Sequence, residues 1–133
     1  MALRKNHRQL IDEATAKITT LSLAEAKARL DDSDALFVDI RDVRELDREG
    51  QIPGAFHAAR GMLEFWVDPD SPYFKPELGE GRELVLYCQS GWRSALATAT
   101  LVDMGRERVA HIGGGLSAWK EAGLPVGERP QRS

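Results

Sequence analysis

The run Glu83-Leu84-Val85-Leu86-Tyr87 does most to limit the folds open to this chain. Consecutive apolar side chains in an extended segment point to opposite faces in turn, so both faces need cover. That is the condition of a strand in a parallel sheet lying between layers of helix. Ala35-Leu36-Phe37-Val38-Asp39-Ile40 has the same character. Directly after the first run come Cys88-Gln89-Ser90-Gly91-Trp92-Arg93-Ser94, and Ser94 to Met104 reads as a helix closed by Gly105. The single cysteine therefore stands where a strand ends and a helix begins. Amides there lack partners of their own, and the helix N-terminus adds about half a positive charge, so the loop suits an anion such as a thiolate.

Free cysteine is only about 3% ionised at pH 7, and helix N-termini or nearby arginines lower its pKa to roughly 3.5–7.5. Arg93 brings a permanent cation whose planar fork of donors suits sulfonate, phosphate or carboxylate. Gly91 lets the backbone curl. The plainer reading of Cys88 is a small buried hydrophobe at a strand end. The glycine and arginine in a tight loop, with a helix behind them, favour a nucleophile.

At 133 residues, the chain suits one domain with one core. Its 42% hydrophobic and 29% charged residues are those of a soluble globular protein, and no apolar run approaches a membrane span. Arg4, Lys5, Asn6, His7 and Arg8 have no apolar block behind them, which argues against a secretory signal and for the cytoplasm. A net charge of -3 offers no general attraction to nucleic acid. One cysteine excludes an internal disulfide and a resolving partner within the chain, so an oxidised or sulfurated Cys88 needs something outside the chain to restore it.

In chain order, residues 2–16 read as a weak amphipathic helix on the flank, and residues 17–21 as a short extended piece. Ser22 opens a second helix through a capping box with Glu25. After the strand at 35–40, residues 42–49 form a charged helix ending at Gly50, with Arg41 and Glu45 spaced to pair. Ile52-Pro53-Gly54-Ala55 is a turn, residues 60–66 one or two helical turns, and 68–72 a loop. A strand at 108–112 leads through Gly113-Gly114-Gly115 to a helix at 116–122. Residues 127–133 read as a loose tail. This alternation predicts an α/β domain with a mainly parallel sheet, helices on both faces, and a site beyond the strand carboxyl ends, where Asp39, Cys88 and Gly113 converge.

Asp39-Ile40-Arg41 with Glu45, Gly50 to Ala55, Cys88 to Ser94, and Gly113 to Trp119 with Gly123-Leu124-Pro125 follow the order and approximate spacing of the rhodanese-like family, which the chain resembles over residues 18–126. Residues 1–17 and 127–133 fall outside the resemblance as an N-terminal helical extension and a tail. Gln51 stands where histidine is common, a departure expected to leave the chemistry alone. The resemblance implies a central, mostly parallel five-stranded sheet and a cysteine that carries sulfur as a persulfide.

On that reading Cys88 takes sulfur from a donor such as thiosulfate and yields it to cyanide or a cellular thiol, a protein thiol included. Amides of residues 89–93 cradle the sulfur, and Arg93 orients the donor. Two readings stand open for Ser90, a contributing hydroxyl or a loop residue bonding its own backbone, and two for Trp92, a pocket wall or an exposed ring. His57 and Arg60 are candidates for the pocket rim, with structural or solvated roles as the alternative. Asp39, Arg41 and Glu45 brace the loops. Cysteine phosphatases and arsenate reductases also use a Cys-to-Arg loop, but with five intervening residues, whereas four stand here. A binding module without turnover is the other rival, against which the retained cysteine argues. His7 and His111 have no partners at ligand spacing, and neither a metal nor a cofactor is expected. The glycine run lacks a nucleotide-loop pattern. Oligomeric state is not written in these motifs.

Overall fold

The computed structural model describes residues 1–79 and 81–130, so the last three positions of the expected tail lie outside the described residues. Its helices are α1 (His7–Ala16), α2 (Leu23–Ala28), α3 (Val43–Glu49), α4 (Leu63–Val67), α5 (Trp92–Asp103) and α6 (Gly115–Glu121). The strands are β1 (Thr19–Leu21), β2 (Ala35–Asp39), β3 (Phe56–His57), β4 (Glu83–Tyr87) and β5 (Val109–Ile112). They form one sheet in the order β1-β5-β4-β2-β3, with every neighbouring pair parallel. The expected α/β fold with five strands is therefore present.

Alternation along β4 explains the two layers of core. Leu84 and Leu86 pack with Ala97 and Leu101 of α5 and with Leu63 and Val67 of α4. Val85 and Tyr87 face the opposite layer, with Ala26 of α2 and Leu116 and Trp119 of α6. Cys88 follows the parity of Leu84 and Leu86 and so lies on the α5 side, where that helix begins.

Local sequence sets several helix starts. Asn6, Ser22 and Asp42 each form a capping box, with Gln9, Glu25 and Glu45 respectively. The Asn6 box begins α1 at His7, later than the apolar pattern suggests, because it satisfies the first free amides there. Gly91, at φ 100°, turns the chain directly into α5 two residues before the expected start. Trp92, Arg93 and Ser94 consequently stand on the first helical turn and not in the loop.

The expected Arg41–Glu45 pair does not form. Arg41 is fully buried and forks onto Asp39, with Nε and one terminal nitrogen donating at 3.0 and 2.7 Å. The other donors reach the carbonyl of Gly50 at 2.7 Å and the side chain of Gln89 at 3.0 Å. Burial works to lower the Arg41 pKa, but Asp39 outweighs it and the value is raised. One side chain thus ties the end of β2, the end of α3 and the start of the Cys88 loop. Tyr87 completes the buried group: its ring lies 5.9 Å from the Arg41 guanidinium, and its hydroxyl accepts from the Ile52 amide at 3.0 Å. Burial first, then Asp39, pushes the Tyr87 pKa far above its ordinary value, so the phenol stays protonated.

The tail is less loose than its composition suggests. Gln51 and Gly127 exchange two backbone hydrogen bonds of 2.8 Å, and Arg129 pairs with Asp47 at 2.9 Å. Gln51 itself is buried and donates to the Ala55 carbonyl at 3.3 Å.

Removing one partner of a buried ion pair leaves the other uncompensated, at a cost of about 3–5 kcal/mol. Arg41→Leu is expected to lose that much in urea unfolding. The Asp39→Leu/Arg41→Leu double variant should lose less than the sum of the two single changes, because the residues act as one unit.

Candidate active site

Four chain segments meet at the carboxyl ends of β2, β4 and β5, as parallel topology requires of a site built on strand ends. Cys88 is wholly enclosed, yet its surroundings on the loop side are polar. The Gly91 amide points at Sγ from 3.2 Å and the Ser94 amide from 3.4 Å. Ser94 Oγ is also 3.6 Å from the sulfur. Of the amides expected to converge, Gly91 therefore does so, joined by Ser94 from just beyond the expected set. No side chain caps the N-terminus of α5. The Cys88 sulfur takes that place, receiving the Gly91 and Ser94 amides at the positive end of the helix.

The loop is held from two sides. Amides of Leu116 and Ser117 bond the carbonyls of Cys88 and Gln89 at 2.9 and 3.0 Å. Gln89 spans the gap, accepting from Arg41 and donating to Ser117 Oγ at 3.0 Å. Gly115, at φ 62°, makes this approach sterically feasible: a Cβ there would lie 2.6 Å from the Cys88 carbonyl oxygen. This is the close backbone passage expected of the glycine run.

Arg93 is not an unpaired cation. Its two terminal nitrogens each donate to Glu45 at 2.9 Å, and Glu45 first, with Cys88 a lesser contributor, raises its pKa. Glu45 also closes the α3 capping box by accepting from the Asp42 amide, so the brace expected at Glu45 acts on Arg93 instead of Arg41. Trp92 is 46% exposed, with its ring tilted against that of His7 at 5.2 Å and, also at 5.2 Å, beneath the Arg8 guanidinium. The N-terminal helix, which packs on α5, thus reaches the outer side of the Cys88 loop. Ser90 is exposed at the loop tip.

His57 Nε2 lies 2.7 Å from the Arg41 carbonyl, so its ring holds the β2 end. Arg60 is exposed, and its amide bonds the Ile40 carbonyl at 3.1 Å. The residue that sequence spacing missed is His111. It is buried on β5, with Nδ1 2.8 Å from Ser94 Oγ and Nε2 3.0 Å from Thr20 Oγ1. Its signal was present: a lone histidine in the buried strand Val109-Ala110-His111-Ile112 needs polar partners. Among the described residues, no cluster of three or more His, Cys, Asp or Glu is placed to hold a metal ion. No helix among them is long and apolar enough to cross a membrane.

A cysteine beneath the amides of a strand-to-helix loop, on a five-stranded parallel sheet, defines a class of α/β proteins with a sulfur-centred site. The family model for the Rhodanese-like domain matches residues 22–122, and the chain belongs to that family. It is 36% identical over 96 residues to a sulfurtransferase of Allochromatium vinosum, covering 72% of this chain and 81% of that protein. By contrast, it spans only 26% and 31% of two longer curated relatives. Among solved structures, a protein of unknown function from Rhodopseudomonas palustris, described as a possible tyrosine phosphatase, is 49% identical with a TM-score of 0.91, covering 96% of this chain and 98% of that one. The polysulfide-sulfur transferase homodimer of Wolinella succinogenes is 29% identical with a TM-score of 0.66, covering 92% of this chain and 87% of that one.

The Arg93 fork holds the Glu45 carboxyl below the usual carboxylate range. The folded chain therefore takes up this proton at lower pH than the unfolded chain does. Stabilisation by the pair is complete above the unfolded value of about 4.3 and is lost as pH falls through the folded value. The stability difference between wild type and Glu45→Gln, measured by denaturant unfolding, should shrink as pH drops below about 4.

Proposed function

We propose that this protein is a sulfurtransferase that carries a sulfane sulfur as a persulfide on Cys88. It takes the sulfur from a small anionic donor such as thiosulfate and yields it to a thiophilic acceptor, cyanide or a thiol on a small molecule or protein. The Cys88 thiolate attacks the outer sulfur of the donor; one S–S bond forms, the donor's S–S bond breaks, and sulfite departs with the electron pair. The acceptor then attacks the outer sulfur of the persulfide and the Cys88 thiolate returns. Electrons balance within the two exchanges, so the cycle calls for no cofactor, and ping-pong kinetics follow. A lone reduced cysteine suits the cytoplasm.

The observation that carries this reading is the pair of amides on Sγ at the open N-terminus of α5. Distributed N–H donors stabilise a sulfur anion in both of its states, thiolate and persulfide, without a base of matched pKa. Membership of the Rhodanese-like family and the sulfurtransferase relative support the same chemistry. Arg93 enters as a steering group, its fork already shared with Glu45. A phosphatase reading comes from the description of the Rhodopseudomonas palustris protein. The four residues between Cys88 and Arg93 form a smaller cradle than phosphatases use, which favours a single sulfur atom over a tetrahedral oxyanion.

Intact mass after thiosulfate treatment should rise by one sulfur in the wild type and stay constant in Cys88→Ser. Turnover of an aryl phosphate that depends on Cys88, with no sulfur uptake from thiosulfate, would overturn the proposal. Arg93→Ala should raise KM for thiosulfate by about tenfold with a much smaller effect on the fraction folded, since the lost interaction is with a charged ligand at a part-exposed site. An equal loss of folded protein would remove Arg93 from the steering role.

A further inference from the structure

His111 has a connection that sulfur exchange does not require. Thr20, His111 and Leu86 are direct partners across β1, β5 and β4, so their side chains share the face that carries α5. Cys88 lies on the same face, beyond Leu86. The result is a continuous row: Cys88 Sγ to Ser94 Oγ at 3.6 Å, Ser94 Oγ to His111 Nδ1 at 2.8 Å, and His111 Nε2 to Thr20 Oγ1 at 3.0 Å. Cys88, Ser94 and His111 are buried, whereas Thr20 is exposed on the edge strand. The row joins an enclosed sulfur to water.

We propose that Ser94, His111 and Thr20 relay the proton of Cys88 to solvent and back, with His111 changing tautomer and not charge. His111 is thereby a positioning residue acting on Cys88 through Ser94. In the thiol form, Sγ–H donates to Ser94 Oγ, Ser94 Oγ–H to His111 Nδ1, and His111 Nε2–H to Thr20 Oγ1. To form the thiolate, the sulfur proton passes to Ser94, the Ser94 proton to Nδ1, the Nε2 proton to Thr20, and the Thr20 proton to water. Each oxygen and the imidazole gain one proton and lose one, so only the sulfur changes charge. The end state is again fully matched: Thr20 donates to Nε2, Nδ1–H donates to Ser94, and the Ser94 hydroxyl turns its proton to the sulfur anion.

Burial pushes the His111 pKa down to about 4, which keeps the ring neutral and able to use either tautomer. Facing His111 are Leu86 of β4, Thr20 of β1 and Ser94 of α5, and burial is the single cause of its shift. The charged group that senses Cys88 from α5 is Arg93, itself paired with Glu45 of α3. Ser94 Oγ has a second acceptor at the Gly91 carbonyl, 3.3 Å away, to which its hydroxyl turns in the thiol form when the His111 ring is removed.

The relay rests on Cys88 being the working sulfur, and its test needs no sulfur transfer. Ring nitrogens of 15N-labelled, fully reduced protein are followed by long-range 1H–15N NMR across the folded pH range, while ultraviolet absorbance reports the thiolate of the only cysteine, with Cys88→Ser as baseline. The expected result is His111 with its proton on Nε2 in the thiol form and on Nδ1 in the thiolate form, the switch following the absorbance and absent from Cys88→Ser. A ring that keeps one tautomer throughout, or that becomes imidazolium as the thiolate appears, overturns the relay. His111→Leu should raise the thiolate midpoint by about one pH unit, because the thiolate form loses the donor to Ser94; an unchanged midpoint overturns it as well. Tautomer switching in a chain that takes no sulfur from thiosulfate would uphold the relay and refute the sulfurtransferase reading, and sulfur uptake with a fixed tautomer would do the reverse.

Discussion

The buried Arg41–Asp39 fork is the constraint on which the site depends. Strand ends in a parallel sheet expose loops with unmatched backbone groups, and nothing in the sheet itself determines how those loops meet. Arg41 resolves this by serving the Asp39 carboxylate, the Gly50 carbonyl and the Gln89 side chain at once. Tyr87 and His57 close the group, one under the guanidinium and one against the Arg41 carbonyl. A buried pair of this kind adds little net stability over apolar packing, and its contribution here is registry between loops.

Around that frame the sulfur has two environments. On the sheet side Cys88 belongs to the apolar layer with Leu84, Leu86 and Ala97, and on the loop side it meets the amides of Gly91 and Ser94. The apolar layer raises the cost of any charge, and the amides and helix terminus offset that cost only at the sulfur position. Electrostatic selectivity follows from strand parity, because the same alternation that buries Leu86 delivers Cys88 to the start of α5. Arg93, on the first turn of α5, is matched by Glu45, which moderates the positive field that Arg93 alone would present.

Much of the fold is legible in the amino-acid order. β4 spans Glu83–Tyr87 as its apolar run indicates, and the Ser22–Glu25 box starts α2 where expected. Two-faced burial of β2 and β4 demanded helices on both sides of the sheet. By contrast, β3 is two residues long and carries no apolar run, so only its pairing with Val38 and Asp39 makes it a strand. The ordered start of the tail is equally invisible locally, since Gly127 finds Gln51 far away in sequence.

The same division applies to the site. Sequence by itself determined that a cysteine follows a buried strand, that glycine permits the turn, and that a helix opens behind it; these are properties of neighbours, governed by side-chain alternation and backbone freedom. Only the tertiary structure decided which charges meet. Helical spacing offered Arg41 to Glu45, but β2 directs Arg41 inward to Asp39, leaving Glu45 for Arg93. Likewise the register of β1 and β5 against β4 places Thr20 and His111 in line with the Cys88 loop. Partners distant in the chain are chosen by packing and strand register, and neither quantity resides in a local pattern of residues.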